Sequence, residues 1–370
     1  MNVTRTQTVP SKRICILAHS LDEKRGGGRF LTAIIRHLLG TYDVEVLTAL
    51  PSGSQLENPI LSHNPFVLLL RLGKIRRVLA RADIVHAFDV HPYGIIAGIA
   101  GIGLRKKFVL TAVGSSSIQP LYRFGLATLS QWVYRKADVL TAVSGYVARE
   151  IRKKLPYLDF TIITPGIDFN YFLNVPTSNI VPRRPFILSV AKVKPRKGVL
   201  VSVRAFARIA EEFPELDYII VGVHGGSYFE KIQALIQTLG LTDRIFFKER
   251  VSDAELVALY RNAQLFILLP QNIDNDIEGF GLVFLEAAAF GLPVIGAEDS
   301  GAEDAIRAGR NGYLVAPHDS VEAAERMRDI LRNPTLRESF SKESVTFAKH
   351  SDWRIIMRQY NELYGRLLKH

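Results

Sequence analysis

Short apolar runs rich in β-branched residues recur along the whole chain and alternate with amphipathic stretches, the pattern of parallel sheets with crossover helices. In the first half the runs are RICILAH, DVEVLTA, DIVHAFD, FVLTAV, VLTAVS and TIITPG. In the second half they are FILSVAKV, DYIIVGV, RIFFKER, LFILLP, LPVIGA and GYLVAP. Each set is enough for a doubly wound sheet of its own, so the pattern predicts an α/β protein with two Rossmann-like domains. Between the sets lies NVPTSNIVPRRP, Asn174–Pro185, which has three prolines and no periodicity and reads as a linker. The last stretch spaces Trp353, Ile356, Tyr360, Leu363 and Leu367 along one face of a helix.

A length of 370 residues exceeds what one core usually supports and agrees with two domains. The single cysteine, Cys15, leaves no intramolecular disulfide and suits a reducing compartment. No apolar leader shows in MNVTRTQTVP, and the longest uncharged apolar run, Tyr93–Leu104, is short and glycine-rich for a membrane span. The expected location is therefore cytoplasmic, with a peripheral place on the inner face of the membrane as the variant that charge suggests.

That charge is uneven. Of a net +11, residues 1–180 contribute everything, with 22 basic and 11 acidic side chains against 25 of each in the remainder. Clusters stand at Arg71–Arg81, Arg105–Lys107 and Arg152–Lys154. Such a half expects an anionic partner: nucleic acid, a membrane surface or a phosphorylated substrate. No RNP, zinc-finger or helix-turn-helix pattern accompanies the charge, which sets nucleic acid aside. The segment PFVLLLRLGKIRRVLARAD mixes Phe66, Leu69 and Leu70 with Arg71, Lys74, Arg76, Arg77 and Arg81. It suits a helix lying against an anionic bilayer, or a core-packed helix with a solvated basic face.

The densest chemistry lies in EGFGLVFLEAAAFGLPVIG, Glu278–Gly296. A strand ends at Pro270, a polar loop follows, and a helix is expected to begin near Gly281. Gly279 and Gly281 let backbone approach a ligand, and the amides of Phe280, Gly281, Leu282 and Val283 form an anion site. Glu286 then falls inside an apolar helix, where a carboxylate needs hydrogen-bond donors. Vicinal sugar hydroxyls would supply them, as a hexose hydroxyl would for Glu278. A second block, SVAKVKPRKG, leads from a strand into a loop with Lys192, Lys194, Arg196 and Lys197, cations suited to a diphosphate.

The first block resembles the EGFGLxxxEAxAxGxPVI motif of the GT4 family of retaining glycosyltransferases, with the same Glu, seven residues, Glu spacing. The resemblance implies a GT-B fold: two Rossmann-like domains facing a central cleft, with the C-terminal helix crossing back to the N-terminal domain. It implies residues 1–178 plus 352–370 for the acceptor domain and 179–351 for the nucleotide-sugar donor domain. Glu278 would then contact the donor sugar, Glu286 the ribose, and the amides after Gly281 the diphosphate. SVAKVKPRKG resembles the family's VGRLxxxKG; Lys197 matches its lysine, while Lys192 stands where arginine is usual and loses the bidentate fork. ICILAHSLDEKRGGGRF resembles the opening strand and glycine loop, with Gly26, Gly27 and Gly28 approaching the donor. Arg250 and Val251 fall at the edge of the nucleobase pocket.

One departure concerns catalysis. Where the family often has a histidine in TxHG, this chain reads TAVG with Val113; the alternative imidazoles are His86 and His91, and His86 and His19 are the acceptor-side candidates, with no catalytic base assigned. The DND run at Asp274–Asp276 reads as a hydrophilic loop, and no metal or other cofactor is expected. The resemblance thus implies a retaining hexosyltransferase moving a sugar from a UDP- or GDP-linked donor to a lipid-linked or anionic glycan acceptor, in polysaccharide or glycolipid synthesis. Alternatives are a catalytically idle nucleotide-sugar-binding partner of an active transferase, or a sugar-nucleotide epimerase of the same fold.

Overall fold

A computed structural model describes residues 12–23, 26–62, 64–176 and 182–369. Two compact units emerge. The first comprises residues up to Val143, Val147–Ile163 and Ile356 onward; the second comprises Ser144–Tyr146 and Thr164–Ile355.

The first unit is built on β1 (Arg13–Ala18), β2 (Asp43–Thr48), β3 (Glu57–Asn58), β4 (Ile84–Phe88), β5 (Lys107–Ala112), β6 (Val139–Ala142) and β7 (Thr161–Ile162). They form one sheet in the order β3-β2-β1-β4-β5-β6-β7, every pair parallel. The second unit holds β8 (Phe186–Val190), β9 (Asp217–Val221), β10 (Ile245–Lys248), β11 (Phe266–Ile267), β12 (Val294–Ala297) and β13 (Gly312–Val315). Its order is β10-β9-β8-β11-β12-β13, also parallel. All twelve expected strands are present. β3 is additional; its two polar residues carry no periodic signal and are strand only because Val46 and Leu47 offer an edge.

In each sheet the chain reverses its direction of travel once, between β1 and β4 in the first unit and between β8 and β11 in the second. Outside the carboxyl ends of strands at such a reversal is where open α/β sheets bind ligands.

Four helices bear on the function: α1 (Gly26–Leu38), α2 (Pro65–Leu79), α3 (Leu282–Ala289) and α4 (Trp353–Lys369). α1 corrects one expectation. Gly26, Gly27 and Gly28 are its first turn, not a loop, because Phe30, Leu31, Ile34, Ile35 and Leu38 bury one face from there onward. Gly28 does make a close approach, but to the chain itself: a Cβ there would lie 2.0 Å from the Asp22 carbonyl oxygen, while one at Gly27 would meet nothing. On α4 the expected face is buried from Trp353 through Leu363 and gains Met357 and Tyr364.

The expected boundary at 178/179 lies outside the described residues. The first unit hands over to the second earlier, at Ile163–Thr164, because Ile167 is stitched to the end of the helix Pro334–His350. Its amide donates to the Ser351 carbonyl at 2.9 Å, and its own carbonyl accepts from Trp353 at 3.1 Å.

Candidate active site

The loops that leave β8 and β11 meet at the second unit's reversal point. Gly198 closes the first of them with φ +66°, and a Cβ there would sit 1.6 Å from the Leu269 carbonyl oxygen, so only glycine lets the loop pass. The Gln271 amide donates to the Arg196 carbonyl at 2.8 Å and ties the loops together. This seam carries the short 3-10 turn Pro195–Lys197 to the Glu278 loop.

The result is a compact ion cluster. Arg196 Nη1 donates to Glu278 Oε2 at 2.6 Å, and Lys197 Nζ donates to the same oxygen. Arg196 Nε lies 3.3 Å from Asp276 Oδ1, and Lys194 Nζ lies 3.8 Å from Asp276 Oδ2. Burial pushes the Glu278 carboxyl up, but Lys197 and Arg196 outweigh it and hold the pKa at about 2. Burial and the neighbouring Arg196 push Lys194 down. Among the described residues Glu278 Oε1 has no hydrogen-bond partner, so the carboxylate can take a further donor while its other oxygen holds the cations.

Downstream, Gly281 adopts φ +87° and caps α3. Phe280 is buried, and half-buried Leu282 and Val283 open the helix, where first-turn amides have no partner inside it. Glu286, on the second turn of α3, is buried and accepts a hydrogen bond from Tyr260 Oη at 3.0 Å. Tyr260 is itself fully buried and stacked on Phe290, centroids 5.6 Å apart.

Three sequence candidates of this unit stand outside the ion cluster. Lys192 is exposed and makes no hydrogen bond or ion pair with any described residue. Arg250 is exposed with φ +52°. Val251 lines a cavity of about 340 Å³ with Phe246, Lys248, Glu255 and Leu259. Both follow β10, two strands from the reversal point.

At the first unit's reversal point, half-buried His19 follows β1, and its Nδ1 lies 2.9 Å from Tyr93 Oη. Burial, helped by Asp89, raises the Tyr93 pKa, so the phenol keeps its proton. Asp89 follows β4 and accepts from the Val113 amide at 3.2 Å and the Ser117 hydroxyl at 2.7 Å. It thereby fixes the loop where the family's histidine would stand. His86 must be withdrawn as an acceptor-side residue. It is fully buried in β4, with Nδ1 2.6 Å from Tyr364 Oη on α4 and Nε2 2.6 Å from Thr111 Oγ1. Burial lowers its pKa to about 3, and it joins the C-terminal helix to the sheet.

Sequence reasoning passed over Tyr260, Asp89 and Tyr93, and gave Arg196 no role beyond that of one cation among four. Arg196 was visible as a cation in its loop, but the motif spacing drew attention to Lys192. Tyr260 offered no signal, since nothing in spacing links it to Glu286. Among the described residues no group of three or more His, Cys, Asp or Glu side chains is arranged to hold a metal ion.

Comparison with known proteins bears on the family and the fold. Residues 24–171 match the family model "Glycosyltransferase Family 4" and residues 174–346 match "Glycosyl transferases group 1". A GDP-mannose-dependent alpha-(1-6)-phosphatidylinositol monomannoside mannosyltransferase of Mycolicibacterium smegmatis is 24% identical over 86% of this chain and 89% of its own. An N-acetyl-alpha-D-glucosaminyl L-malate synthase of Bacillus anthracis is 29% identical over 84% of this chain and 82% of its own. The crystal structure of Anabaena HepE with UDP and glucose superposes with a TM-score of 0.79, at 19% identity, over 96% of this chain and all of that one. With two parallel sheets, each reversing once, and the two matched segments running through nearly the whole sequence, the chain belongs to family 4 of the glycosyltransferases and has the GT-B fold.

Proposed function

We propose that the protein is a retaining hexosyltransferase that works without a metal ion, taking a hexose from a UDP- or GDP-linked donor to a hydroxyl of a lipid-linked or anionic glycan. The observation that carries the reading is the cluster at the second reversal point. Cations and a helix N-terminus suited to a diphosphate stand beside a carboxylate with an oxygen open to a sugar hydroxyl.

In this reading Lys197, with Lys192 in the same loop, and the amides of Phe280 to Val283 hold the diphosphate. Glu278 Oε1 accepts from a hexose hydroxyl, Glu286 from the ribose, and Arg250 and Val251 flank the base. The acceptor oxygen bonds to the anomeric carbon on the face from which the phosphate leaves. The bond from that carbon to the phosphate oxygen breaks, and the hydroxyl proton passes to the departing nucleoside diphosphate. The protein's part is to stabilise the charge that builds on that leaving group. His19 is the acceptor-side residue that remains.

The partner of the basic half is, in this proposal, an anionic bilayer met by α2. Phe66, Leu69 and Leu70 are 77%, 69% and 87% exposed on it. Among the described residues no carboxylate pairs with Arg71, Lys74, Arg76, Arg77 or Arg81. Arg76 is partly structural, its Nη1 donating to the Ala100 and Ile102 carbonyls at 2.9 and 2.5 Å. Among the described residues no helix is long and apolar enough to cross a membrane, so attachment would be peripheral.

The mannosyltransferase relative is named for GDP-mannose and HepE was crystallised with UDP, so the base is a matter for measurement. Thermal shift against UDP-, GDP- and ADP-sugars should single out one base, with roughly 2.7 kcal/mol of stabilisation at a hundred times Kd. NMR of the product should show the donor's anomeric configuration retained, and EDTA should change nothing. No shift with any nucleotide sugar would overturn the donor reading. A donor bound but never transferred or hydrolysed would mark an idle binder, and activity lost in EDTA and restored by Mg²⁺ would end the metal-free mechanism.

A further inference from the structure

The second reversal point contains a competition. The loop has four cations, and the family motif singles out its first and last, Lys192 and Lys197. Lys192 points to no partner, whereas Arg196 is only 18% exposed and is aimed with Lys197 at one oxygen of Glu278. Its Nε is buried without a hydrogen bond; Asp276 lies near but out of line. An arginine in this position has a planar fork, which a lysine at 192 cannot supply. The anion it grips here is the chain's own carboxylate.

We propose that Arg196 is the forked diphosphate-binding residue of this enzyme, and that Glu278 occupies Arg196 and Lys197 in the ligand-free protein and competes with the incoming diphosphate for them. The inference deepens the nucleotide-sugar reading and rests on it for the identity of the ligand. Three cations and two carboxylates meet here: Lys194, Arg196 and Lys197 with Asp276 and Glu278. The site is therefore close to neutral before binding, and part of the attraction for a diphosphate is already spent inside the protein. The two acids are not equivalent. Glu278 holds both Arg196 and Lys197 through a single oxygen, so removing its charge frees two donors at once. No bond is made or broken in the exchange; charge-assisted hydrogen bonds pass from carboxylate to phosphate oxygen, and the carboxylate turns to the sugar.

This predicts effects of opposite sign on the two sides of one ion pair. Calorimetry with UDP, GDP, uridine, guanosine and inorganic pyrophosphate tests it. Arg196→Ala should weaken the preferred nucleoside diphosphate and pyrophosphate by roughly ten- to a hundredfold, leave the nucleoside nearly unchanged, and exceed the loss for Lys192→Ala. Arg196→Lys should recover part of it. Glu278→Gln should bind the same diphosphates several-fold more tightly while transferring sugar more slowly, a split that a purely structural ion pair would not give. Equal losses for nucleoside and diphosphate in Arg196→Ala, a larger loss in Lys192→Ala, or unchanged or weaker diphosphate binding in Glu278→Gln would each overturn the proposal. Should Arg196→Ala not fold, Glu278→Gln decides alone: tighter binding upholds the exchange, unchanged or weaker binding ends it. Pyrophosphate separates this inference from the donor reading. If it binds through Arg196 while no nucleotide does, the exchange stands and the nucleotide-sugar function falls.

Discussion

The two units share one plan, a parallel sheet whose strand order reverses once, yet they distribute charge in opposite ways. The first carries a surplus of +14, with 25 basic and 11 acidic side chains, and the second a deficit of 3, with 22 and 25. The first unit's cluster at Arg105–Lys107 leads into the amino end of β5, Arg152–Lys154 closes the helix Gly145–Arg152, and five more basic residues lie on or just after α2. Several of these cations are occupied locally: Lys153 pairs with Glu150 at 2.7 Å, Arg152 with Asp159 at 3.3 Å, and Lys154 sits over the Tyr122 ring. Where the described residues meet at the first reversal point, the groups are an imidazole, a phenol and a carboxylate. The second unit is slightly acidic overall but gathers Lys194, Arg196 and Lys197 at the carboxyl end of β8. Net charge by region identifies a surface; position at a strand end identifies a site.

The same contrast should appear, most strongly, as different sensitivity to acid. In the first unit His86 is buried neutral with its pKa lowered to about 3 from an ordinary 6.5. The unfolded chain binds that proton and the folded one does not. His86 therefore supports folding fully above pH 6.5 and loses that support as pH falls toward 3, by up to about 1.4 kcal/mol per pH unit. Asp89, raised by burial, works in the other direction and softens the slope. In the second unit Glu278 is held at about 2, so its support is intact down to its ordinary 4.5 and is lost only below that. The two tryptophans divide conveniently, Trp132 in the first unit and Trp353 in the second. With the other replaced by phenylalanine, each reports its own unit in denaturant titrations from pH 7 to 4. The first unit should weaken first, and His86→Gln should flatten its profile. Loss of the second unit first would break the contrast.

A smaller effect tests the polar interior of the second unit. Glu286→Ala takes the acceptor from the Tyr260 hydroxyl, which is buried 3.0 Å away, and should lower stability by about 1–3 kcal/mol before any ligand is added. Glu286→Gln keeps an acceptor oxygen and should recover most of it. The Trp353 signal should carry the loss and the Trp132 signal should not. If stability is unchanged while nucleotide affinity falls, Glu286 serves the ligand alone and its partnership with Tyr260 is incidental.

How far the sequence spoke depended on whether a feature was local. The strands were legible because continuous apolar runs mark buried parallel strands regardless of context. β3 was not, since Glu57–Asn58 has no pattern of its own. The glycine run misled for a local reason: glycine disfavours helix, and the apolar face that overrides it begins only at Phe30. Within the site, Glu278 and Lys197 stood out by motif. Arg196 required knowing that Gly198 passes within touching distance of Leu269, and Tyr260 required knowing that two helices far apart in sequence place a phenol against Glu286. His86 was read as following a strand, like a site residue, but it lies in the middle of β4, and its burial against Tyr364 shows that it belongs to the core.

The last comparison concerns the surplus itself, where the expected change in stability is smallest. On α2, Ile75 and Leu79 are fully buried while Lys74 and Arg77 face outward, and Arg77 reaches only the Gly73 carbonyl of its own helix. Lys74→Glu with Arg77→Glu should leave the unit within about 0.5 kcal/mol of the parent, because no packed or paired group is lost. On vesicles the same pair should matter greatly, since each basic residue near an anionic surface contributes about 1 kcal/mol and reversal also adds repulsion. The parent should co-sediment with anionic vesicles at low salt and be released as salt rises; the double variant should stay in solution with its nucleotide affinity unaltered. Arg76→Glu is a poorer probe, because it would also release the Ala100 and Ile102 carbonyls and lower stability. Phe66→Ser with Leu70→Ser should weaken attachment in a way that salt does not mimic, as the apolar contribution is unscreened. A parent that ignores anionic vesicles even at low salt would leave α2 as a solvated basic face and move the anionic partner from the membrane to a soluble acceptor.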